Sequence, residues 1–499
     1  MRCFQFENWS GVKREMQISV IGAGYVGLTT AACLAEIGHQ VLCADSDRDK
    51  LERLNAGHLP FFEPHLDLLV QRNMAAGRLQ FTSPEVALKQ GSAIFICVGT
   101  PPLENGEADL SAIESVARAI ASTAHGYRLV IEKSTVPVQT AKRLWKHLSI
   151  YNINGLDFDV VSNPEFLREG SAVGDFFHPD RIVIGAESPR AIAMMKEIYR
   201  PVLQSGSACP VHSQCPPAHE IPLIVTDTNS AELVKHASNS FLAMKISFIN
   251  LVADACEAAG ADIAKVAEGI GSDKRIGQSF LNPGIGFGGF CFPKDLQAFV
   301  RIGEKLGCDF SLLKEVEKIN LRRAEQFVAK IKKELWVLRG KTLAVWGLAF
   351  KPDTDDVRFA PALNIIRRLL AEGARIRAYD PHAMEKAKDE LPEITYCLSH
   401  YEAAQNADAI LVLTEWDEFR RLKWDLLAKS VAHPLLIDGR NLYSADEVTA
   451  NGFQYVCIGK ETSMVRYEHL QGGGDRVPVP LGIAPPAPPS HTVPVQIRP

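Results

Sequence analysis

Met16-Gln-Ile-Ser-Val-Ile-Gly22-Ala-Gly24-Tyr-Val-Gly27 is a short apolar run that leads into a GxGxxG turn. An apolar helical pattern continues to Glu36, and a second β-rich run ends in Asp45. This order of strand, glycine turn, helix and strand with a final acidic residue is typical of a doubly wound dinucleotide-binding unit. The stretch therefore predicts an α/β domain of this kind.

The same stretch predicts how a dinucleotide would be held. In this unit the glycines make the tight turn, let the backbone approach a pyrophosphate and permit close packing of helix on strand, in the order Gly22, Gly24, Gly27. The N-terminus of the following helix attracts the phosphates. Asp45 would accept hydrogen bonds from ribose hydroxyls, which favours NAD. Arg48 and Lys50 keep NADP open, because a basic residue there can hold a 2′-phosphate.

Small or polar residues follow three further predicted strands. Residues 93–98 lead into Gly-Thr-Pro-Pro, and residues 129–131 lead into Glu-Lys-Ser-Thr. The strand around Val160 is followed by Glu165 and Glu169, which we expect on one face of a single helical turn. Ligands of open parallel sheets bind at the carboxyl edge of the strands. We therefore give equal weight to two interpretations of these acids: a role in catalysis or ligand binding, and a role as solvated helix caps.

One cysteine lies in a glycine-dense loop, Asn282-Pro-Gly-Ile-Gly-Phe-Gly-Gly-Phe-Cys-Phe-Pro-Lys-Asp295. Glycines allow the backbone to come close to a ligand. Lys294 and Asp295 would supply a cation, which lowers a thiol pKa, and a base. Cys291 is therefore the candidate nucleophile, and the alternative is a glycine-rich turn around an inert, buried cysteine.

Residues 229–258 predict a long helix, since they have helical periodicity and contain neither glycine nor proline. Lys235 and Asn239 lie one turn apart beside its apolar stripe. They either border that stripe as amphipathic side chains or act as oxyanion donors facing Cys291.

The C-terminal half repeats the order of the N-terminal half. Residues 341–347, 362–372 and 375–380 predict strand, helix and strand ending in an aspartate, but without the glycine fingerprint. This half is therefore not expected to bind a dinucleotide in the usual way. Lys351, Arg358 and Arg440 are candidate cations for a phosphorylated ligand, and each taken alone is more often a solvated surface residue.

We therefore predict an α/β fold with two Rossmann-like doubly wound domains joined by a long helical connector. The predicted parts are an extension at residues 1–15, an NAD-binding domain at 16–228, a helical connector that carries the cysteine loop at 229–335, a second doubly wound domain at 336–468 and a disordered proline-rich tail at 469–499.

Composition limits the function classes. The 499 residues carry a net charge of −5, which argues against a nucleic-acid partner. The sequence has eleven cysteines but no CxxC motif, and no apolar run is long enough to span a membrane. We therefore expect the protein to lie in a reducing cytoplasm. The residues Cys209, His212, Cys215 and His219 have a spacing that fits no common zinc site, so no metal is expected and a flexible loop is the default.

From Met16 to about residue 460 the chain resembles the UDP-glucose/GDP-mannose dehydrogenase family. The motifs that carry the resemblance are the GxGxxG turn, Lys133-Ser-Thr-Val-Pro137, Ser162-Asn-Pro-Glu-Phe-Leu167, the helix from Glu232 to Asn250, Gly286-Phe-Gly-Gly-Phe-Cys-Phe-Pro-Lys-Asp295 and Gly347-Leu-Ala-Phe-Lys351. The resemblance implies that residues 336–468 form a UDP-sugar-binding domain and that the connector forms a homodimer or higher oligomer. It also implies that the active site lies between the two doubly wound domains. UDP-glucose is the expected substrate; another nucleotide sugar, GDP-mannose or a UDP-N-acetylhexosamine, and a non-catalytic nucleotide-sugar-binding paralogue are the alternatives.

The resemblance also implies a four-electron oxidation with NAD, in which Cys291 forms a thiohemiacetal and then a thioester that water hydrolyses. Lys235 and Asn239 would hold the developing oxyanion, Asp295 would assist the thiol or a water, Glu165 would act as general acid and base, and Thr135 would orient a water or hydroxyl.

Two sets of binding residues follow from the same resemblance. The cofactor set is Gly22, Gly24, Tyr25, Val26, Gly27, Asp45, Lys50, Val98, Thr100, Pro101, Ser134, Thr135, Glu169 and Arg358. The substrate set is Phe166, Leu167, Arg168, Glu169, Lys235, Asn239, Arg275, Phe287, Gly288, Phe292, Phe350, Lys351 and Arg440. Arg275 would reach across from a partner subunit. Phe290 departs from the family, which usually has a small residue such as serine there, and predicts a narrower or shifted pocket.

Overall fold

A computed structural model describes residues 15–204 and 220–461 of the protein. The segment from Cys209 to His219, nearly all of the predicted N-terminal extension and the predicted C-terminal tail lie outside the described residues. The described part forms two sheets, each covered by helices, and a long helical connector between them. This confirms the predicted fold class.

The N-terminal sheet is built from the strands β1 (Gln17–Ile21), β2 (Gln40–Ala44), β3 (Leu79–Thr82), β4 (Ala93–Ile96), β5 (Tyr127–Glu132), β6 (Asp157–Ser162), β7 (Ile182–Gly185) and β8 (Leu223–Thr226). Their order is β3-β2-β1-β4-β5-β6-β7-β8, and every neighbouring pair is parallel except β6 and β7. The first six strands therefore have the doubly wound order 3-2-1-4-5-6.

Helices cover both faces of this sheet, which explains why its central strands are continuous apolar runs. They are α1 (Tyr25–Glu36), α2 (Arg48–Asn55), α3 (Leu66–Ala75), α4 (Pro84–Gln90), α5 (Ser111–Thr123), α6 (Thr140–Tyr151), α7 (Ala172–Phe177) and α8 (Pro189–Leu203). Gly22 turns the chain from β1 into α1 with a φ of +104°, and a Cβ there would lie 2.7 Å from the carbonyl oxygen of Cys97. Only glycine fits this turn.

The connector consists of α9 (Thr228–Ala259), α10 (Ile263–Gly271), α11 (Cys291–Lys305) and α12 (Ser311–Leu335). Asp227 caps the first turn of α9 by accepting a hydrogen bond from the amide of Ser230, and Gly260 ends the helix in the left-handed conformation. The predicted long helix at 229–258 is confirmed. None of the helices in the described ranges combines the length and the apolarity needed to cross a membrane.

The C-terminal sheet is built from the strands β9 (Thr342–Trp346), β10 (Arg375–Tyr379), β11 (Thr395–Tyr396), β12 (Ala409–Val412), β13 (Leu435–Asp438) and β14 (Gln454–Val456). Its order, β11-β10-β9-β12-β13-β14, repeats that of the first six strands of the N-terminal sheet. It is flanked by α13 (Pro361–Ala371), α14 (Met384–Glu390), α15 (His400–Ala404), α16 (Trp424–Ser430), α17 (Ala445–Ala450) and a 3-10 turn, Asp417–Arg420.

The two doubly wound units use the aspartate after their second strand differently. Asp45 is partly exposed and accepts a hydrogen bond from the amide of Ala23. Asp380 is fully buried and accepts from the amides of Leu348 and Ala349 and from the Trp416 indole. In a dinucleotide site the carboxylate at this position would face a ribose. In the C-terminal unit it instead accepts hydrogen bonds from loops of its own domain.

Candidate active site

Four segments meet between the two sheets: the loops after β5 and β6, the N-terminal half of α9, and the N-terminus of α11. Lys235 on α9 reaches the loop after β6, where its Nζ lies 2.9 Å from Oε1 of Glu165. The next residue on α9, His236, donates through Nε2 to the carbonyl oxygen of Val136, 2.7 Å away. This contact holds the loop that carries Thr135 against the same helix.

Lys235 and Glu165 form a buried ion pair, with side chains 5% and 4% exposed. Burial alone would lower the pKa of Lys235, but the carboxylates of Glu165 and Asp295 and the Cys291 thiol outweigh it, so the pKa is raised. Lys235 is therefore a fixed ammonium at neutral pH, as a donor to a developing oxyanion must be.

The loop after β6 is irregular, so the prediction that Glu165 and Glu169 share a helical turn is wrong. Glu165 bends back to accept a hydrogen bond from the amide of Leu167, which replaces the helical pattern of backbone bonding. Helix α7 begins only at Ala172. The two acids have different neighbours, since Glu165 pairs with Lys235 and Glu169 faces the C-terminal domain.

Asp295 lies one turn into α11 and is almost completely buried. Its two oxygens accept from Nδ2 of Asn239 and from Nζ of Lys294, each at 2.6 Å. Burial raises its pKa, but the charges of Lys294, Lys235 and His236 outweigh burial, and the net pKa is lowered. Asp295 is thus held as a carboxylate and fixes the amide of Asn239.

Cys291 is half-buried at the first position of α11. Burial and the carboxylates of Asp295 and Glu165 together raise the pKa of its thiol to about 12, and Lys235 opposes them. The prediction that Lys294 lowers the thiol pKa is wrong, because its ammonium bonds Asp295 and lies 5.6 Å from the ring centroid of Phe290. The resting thiol is therefore protonated at neutral pH.

The glycines before Cys291 allow close contact with the C-terminal domain. A Cβ at Gly288 would lie 2.4 Å from the carbonyl oxygen of Phe359, and one at Gly289 would lie 2.7 Å from the Phe350 ring. We expected these glycines to admit a ligand, whereas the described contacts are with protein. They let the nucleophile loop pack directly against the second doubly wound domain.

Arg440 fixes the same junction from the other side. Its guanidinium donates to the carbonyl oxygens of Leu413 and Phe350, both at 2.8 Å, and to that of Gly286 at 3.3 Å. It also lies 3.2 Å from Glu415. In the structure Arg440 is therefore a bridge between the cysteine loop and the C-terminal domain, and its role toward a nucleotide sugar stays a prediction.

A second charged cluster joins the domains around Glu169. Arg358 forms a bidentate pair with Asp356, and its Nη2 lies 3.6 Å from Oε1 of Glu169. Burial and the neighbouring Asp356 carboxylate raise the pKa of Glu169 to about 8, while Arg358 and Lys351 oppose them. Burial lowers the pKa of Lys351, which lies beside the Phe350 ring. Lys351 is thus partly buried, whereas the Arg358 side chain is half exposed and is held by its ion pair with Asp356.

The predicted cofactor residues line the carboxyl edge around β1, β4 and β5. The Asp45 carboxylate accepts from Nζ of Lys50 at 3.0 Å, and hydrogen bonds lower its pKa against the effect of burial. Thr100 donates to the carbonyl of Thr135, and Ser134 donates to that of Val98, at 2.9 Å each. Beside these lie Tyr25, Val26 and Gly27 at the start of α1, and Pro101.

The remaining predicted substrate residues divide into two groups. Phe166 lies under the guanidinium of Arg181 at 3.6 Å and near Lys235, and Phe287 packs edge-to-face on Phe292. The exposed Arg168 and Arg275 instead pair with Asp175 and Asp273. The described partner of Arg275, Asp273, lies only two positions away in the same chain.

Family models match nearly the whole described chain. The matches are the NAD binding domain of the UDP-glucose/GDP-mannose dehydrogenase family over residues 16–203, its central domain over 229–322 and its UDP binding domain over 344–445. The chain belongs to the UDP-glucose/GDP-mannose dehydrogenase family. This confirms the resemblance seen in the sequence motifs.

Individual members of the family are similar along nearly their full length. The chain is 44% identical over 450 residues to the UDP-glucose 6-dehydrogenase of Rhizobium meliloti, covering 89% of this chain and 100% of that protein. It is also 44% identical to UDP-glucose 6-dehydrogenase YwqF of Bacillus subtilis, covering 89% and 98%. A solved UDP-glucose dehydrogenase from Pyrobaculum islandicum superposes with a TM-score of 0.79 at 39% identity, covering 87% of this chain and 96% of that one.

Several residues around the site of this dehydrogenase-family chain had not been predicted from the sequence. Glu63, Thr354 and Asp356 are buried acids or hydroxyls that contact the loop around Glu169. Lys294 was predicted to lower the pKa of the Cys291 thiol, and its ammonium instead donates a hydrogen bond to the Asp295 carboxylate. The one local signal for Glu63 is its place in a Phe-Phe-Glu-Pro run before α3, where an ionisable residue stands among aromatic ones.

Proposed function

We propose that the protein is a UDP-glucose 6-dehydrogenase, which oxidises UDP-glucose to UDP-glucuronate with two equivalents of NAD⁺. The observation that carries this proposal is the arrangement around Cys291, where a buried ammonium, a buried carboxylate and a positioned amide surround a thiol at a helix N-terminus. The similarity to UDP-glucose 6-dehydrogenases over nearly the full chain supports the same reaction.

The N-terminal turn fits NAD⁺. A Cβ added at Gly24 would meet no described atom within 4 Å, which leaves the turn open to a pyrophosphate at the N-terminus of α1. The partly exposed Asp45 carboxylate can accept from ribose hydroxyls. When bound, NAD⁺ supplies the acceptor for a hydride. We place the phosphates at residues 22–27, the ribose at Asp45, and the rest of the molecule along Thr100 and Ser134.

The side chains around Cys291 account for the two oxidation steps. In the first, the C6 alcohol loses a hydride and a proton and becomes an aldehyde, with its oxygen held by Lys235 and Asn239. The Cys291 sulfur then bonds to C6 and its proton moves to the oxygen, giving a thiohemiacetal. Loss of a second hydride and a proton gives a thioester. Water adds to this thioester and releases the carboxylate and the thiol.

The charges suggest which group moves each proton. Because the thiol is protonated at rest, its addition to the aldehyde needs a base and a stabilised oxyanion. We assign the oxyanion to Lys235 and Asn239, the carboxylate that assists the thiol or the water to Asp295, and general acid and base steps to Glu165. Thr135 would orient the water or the hydroxyl from the loop that His236 fixes.

The nucleotide part of the substrate would bind between the domains. Lys351 and Arg440 are the cations on the C-terminal side, and Phe166 to Glu169 form the N-terminal side of the same cleft. GDP-mannose and UDP-N-acetylhexosamines remain rival substrates of the same chemistry. A solved UDP-D-ManNAc dehydrogenase from Pyrococcus horikoshii has the same fold, with a TM-score of 0.74 at 27% identity.

We also propose a homodimer that packs through α9. Four large apolar side chains on this helix are strongly exposed in the single chain, between 36% and 57%: Leu233, Phe241, Phe248 and Leu251. Several large apolar side chains exposed on one helix are typical of a protein interface. In this dimer Arg275 would reach the partner's substrate site.

The free cysteines of the described residues agree with the proposed cytoplasmic location.

The test is the number of NADH formed per UDP-glucose consumed by the purified chain. Two NADH with UDP-glucose, and no complete turnover by Cys291→Ser, support the proposal. Turnover of GDP-mannose alone would keep the chemistry and change the substrate. Tight binding of UDP-glucose without NADH formation would leave a non-catalytic binding protein.

A further inference from the structure

A single buried carboxylate connects the cofactor turn to the loop that carries the catalytic acid. Glu63 is 3% exposed and accepts hydrogen bonds from the hydroxyl of Tyr25, from the amide of Gly170 at 2.6 Å and from the amide of Ala172 at 2.7 Å. The amide of Gly170 also lies 3.1 Å from the Tyr25 hydroxyl oxygen. The two carboxylate oxygens of Glu63 therefore connect its own segment to two others, at Tyr25 and at residues 170–172, that are far away in the sequence.

The partners of Glu63 stand next to functional positions. Tyr25 is the first residue of α1 and directly follows Gly24, which we place at the pyrophosphate. Gly170 directly follows Glu169, and the same loop carries Glu165, the partner of Lys235. A displacement of either partner would therefore move a neighbour that contacts cofactor or substrate.

The residues before Glu63 extend this connection to the C-terminal domain. The Phe61 ring lies 4.9 Å from that of Tyr25, and the Phe62 ring stacks on His382 with centroids 3.7 Å apart and an angle of 9°. We call residues 61–63 the clamp segment. It contacts the cofactor turn, the substrate loop and the second doubly wound domain within three consecutive residues.

We propose that Glu63 is a positioning residue that couples occupation of the cofactor turn to the conformation of the substrate loop. Its carboxylate accepts three donors and cannot be replaced by an amide without placing an NH₂ group against an N–H or O–H donor. A cofactor that fixes Tyr25 thereby fixes the amide of Gly170, and a nucleotide sugar that orders this loop fixes Tyr25. The two ligands should consequently bind cooperatively, with the same factor in both directions. This inference rests on the proposed function.

The test measures NADH binding to the full-length protein by calorimetry, with and without UDP-glucose, so that no turnover occurs. In the wild type we expect UDP-glucose to tighten NADH binding about fivefold or more, within the usual range of coupling. In Glu63→Gln the ratio of the two dissociation constants should fall close to one. If Glu63→Gln fails to fold, Tyr25→Phe tests the same connection, because it removes the hydroxyl that donates to Glu63. The exposed Glu52→Gln on α2 is the matched control and should keep the wild-type ratio.

Two results would overturn the inference: no coupling in the wild type although both ligands bind, or unchanged coupling in Glu63→Gln and Tyr25→Phe. A purely structural role of Glu63 would lower thermal stability and leave the ratio of dissociation constants unchanged. If the chain instead takes another nucleotide sugar, UDP-glucose fails to bind the wild type. The proposed function then fails, and the coupling of NADH is measured with GDP-mannose or a UDP-N-acetylhexosamine.

Discussion

Lys235 and Glu165 form an ion pair of 2.9 Å that is almost completely removed from solvent, and it joins the N-terminal half of α9 to the loop after β6. In the proposed mechanism, this ammonium holds the oxyanion that develops at C6. Because Glu165 is buried, it would lose its only described cationic partner if Lys235 were removed. The two residues are therefore linked in stability, and the proposed mechanism gives each of them a catalytic role.

Lys235→Met should lower kcat about 10² to 10³-fold, which is typical for loss of one oxyanion donor. It should also reduce the unfolding free energy by about 3–5 kcal/mol, because it leaves Glu165 as an unpaired buried charge. Steady-state kinetics and urea unfolding measure these two effects. The double variant Lys235→Met/Glu165→Gln should regain stability without regaining activity. Recovery of activity in the double variant would contradict the role given to Lys235.

Alkylation of Cys291 should be slow at neutral pH and should accelerate with rising pH. Burial and two carboxylates raise the pKa of the thiol to about 12, so the reactive thiolate is scarce below that value. The rate of iodoacetamide labelling, followed on the Cys291 peptide by mass spectrometry, should rise about tenfold per pH unit from 7 to 10. Cys308→Ser removes the exposed cysteine and should not change this profile. A plateau below pH 8 would show an activated thiolate.

The parts of this fold that the sequence predicts well are those with local determinants. Gly22, the helix after it and Asp45 lie within thirty residues, and their spacing alone predicts the strand, turn and acidic position. The helix at 229–258 was predicted with an error of about one residue at each end for the same reason. Local periodicity carries this information because it reflects which face of an element is buried.

The contacts that the sequence did not predict join residues far apart in the chain. Glu63 and Gly170 are 107 positions apart, and Arg440 and Gly286 are 154 apart. The aromatic residues before Glu63 are a local signal that it is unusual, but they do not show which distant loop will bury its carboxylate. The Lys294 prediction failed for the same reason, since the choice between Asp295 and Cys291 depends on how α11 packs against α9.

Glu132→Gln should make the protein more stable at alkaline pH. Burial raises the pKa of Glu132 to about 8, whereas the unfolded chain has an ordinary, lower value. Between these two values the native state binds more protons than the unfolded state, so stability falls as pH rises, by up to about 1.4 kcal/mol per pH unit from this group. Urea unfolding at pH 5, 6.5 and 8 should show that the variant lacks this part of the slope. Exposed Glu85→Gln is the control, and a parallel slope in Glu132→Gln would contradict the assignment.

Asp45→Ala should reduce the preference for NAD over NADP by about tenfold or more, measured as the ratio of kcat/KM values. The carboxylate that would accept from the ribose is lost, and Lys50, now 3.0 Å from Asp45, is released to meet a 2′-phosphate. Exposed Asp49→Ala in the same region should keep the wild-type ratio. An unchanged ratio in Asp45→Ala would place ribose recognition elsewhere.

Phe290→Ser, which introduces a small residue of the kind that the resemblance predicts at this position, should weaken the cofactor site. The Arg358 guanidinium lies 4.5 Å from the ring centroid of Phe290, and the Lys294 ammonium lies 5.6 Å from it. Each such contact contributes about 0.5–1 kcal/mol at a partly exposed site. Because Arg358 is in the predicted cofactor set, KM for NAD should rise about two- to fivefold while KM for UDP-glucose changes less. Phe290→Tyr keeps the aromatic face and should behave as the wild type; an equal rise in both KM values for Phe290→Ser would indicate a general loosening of the loop at Cys291.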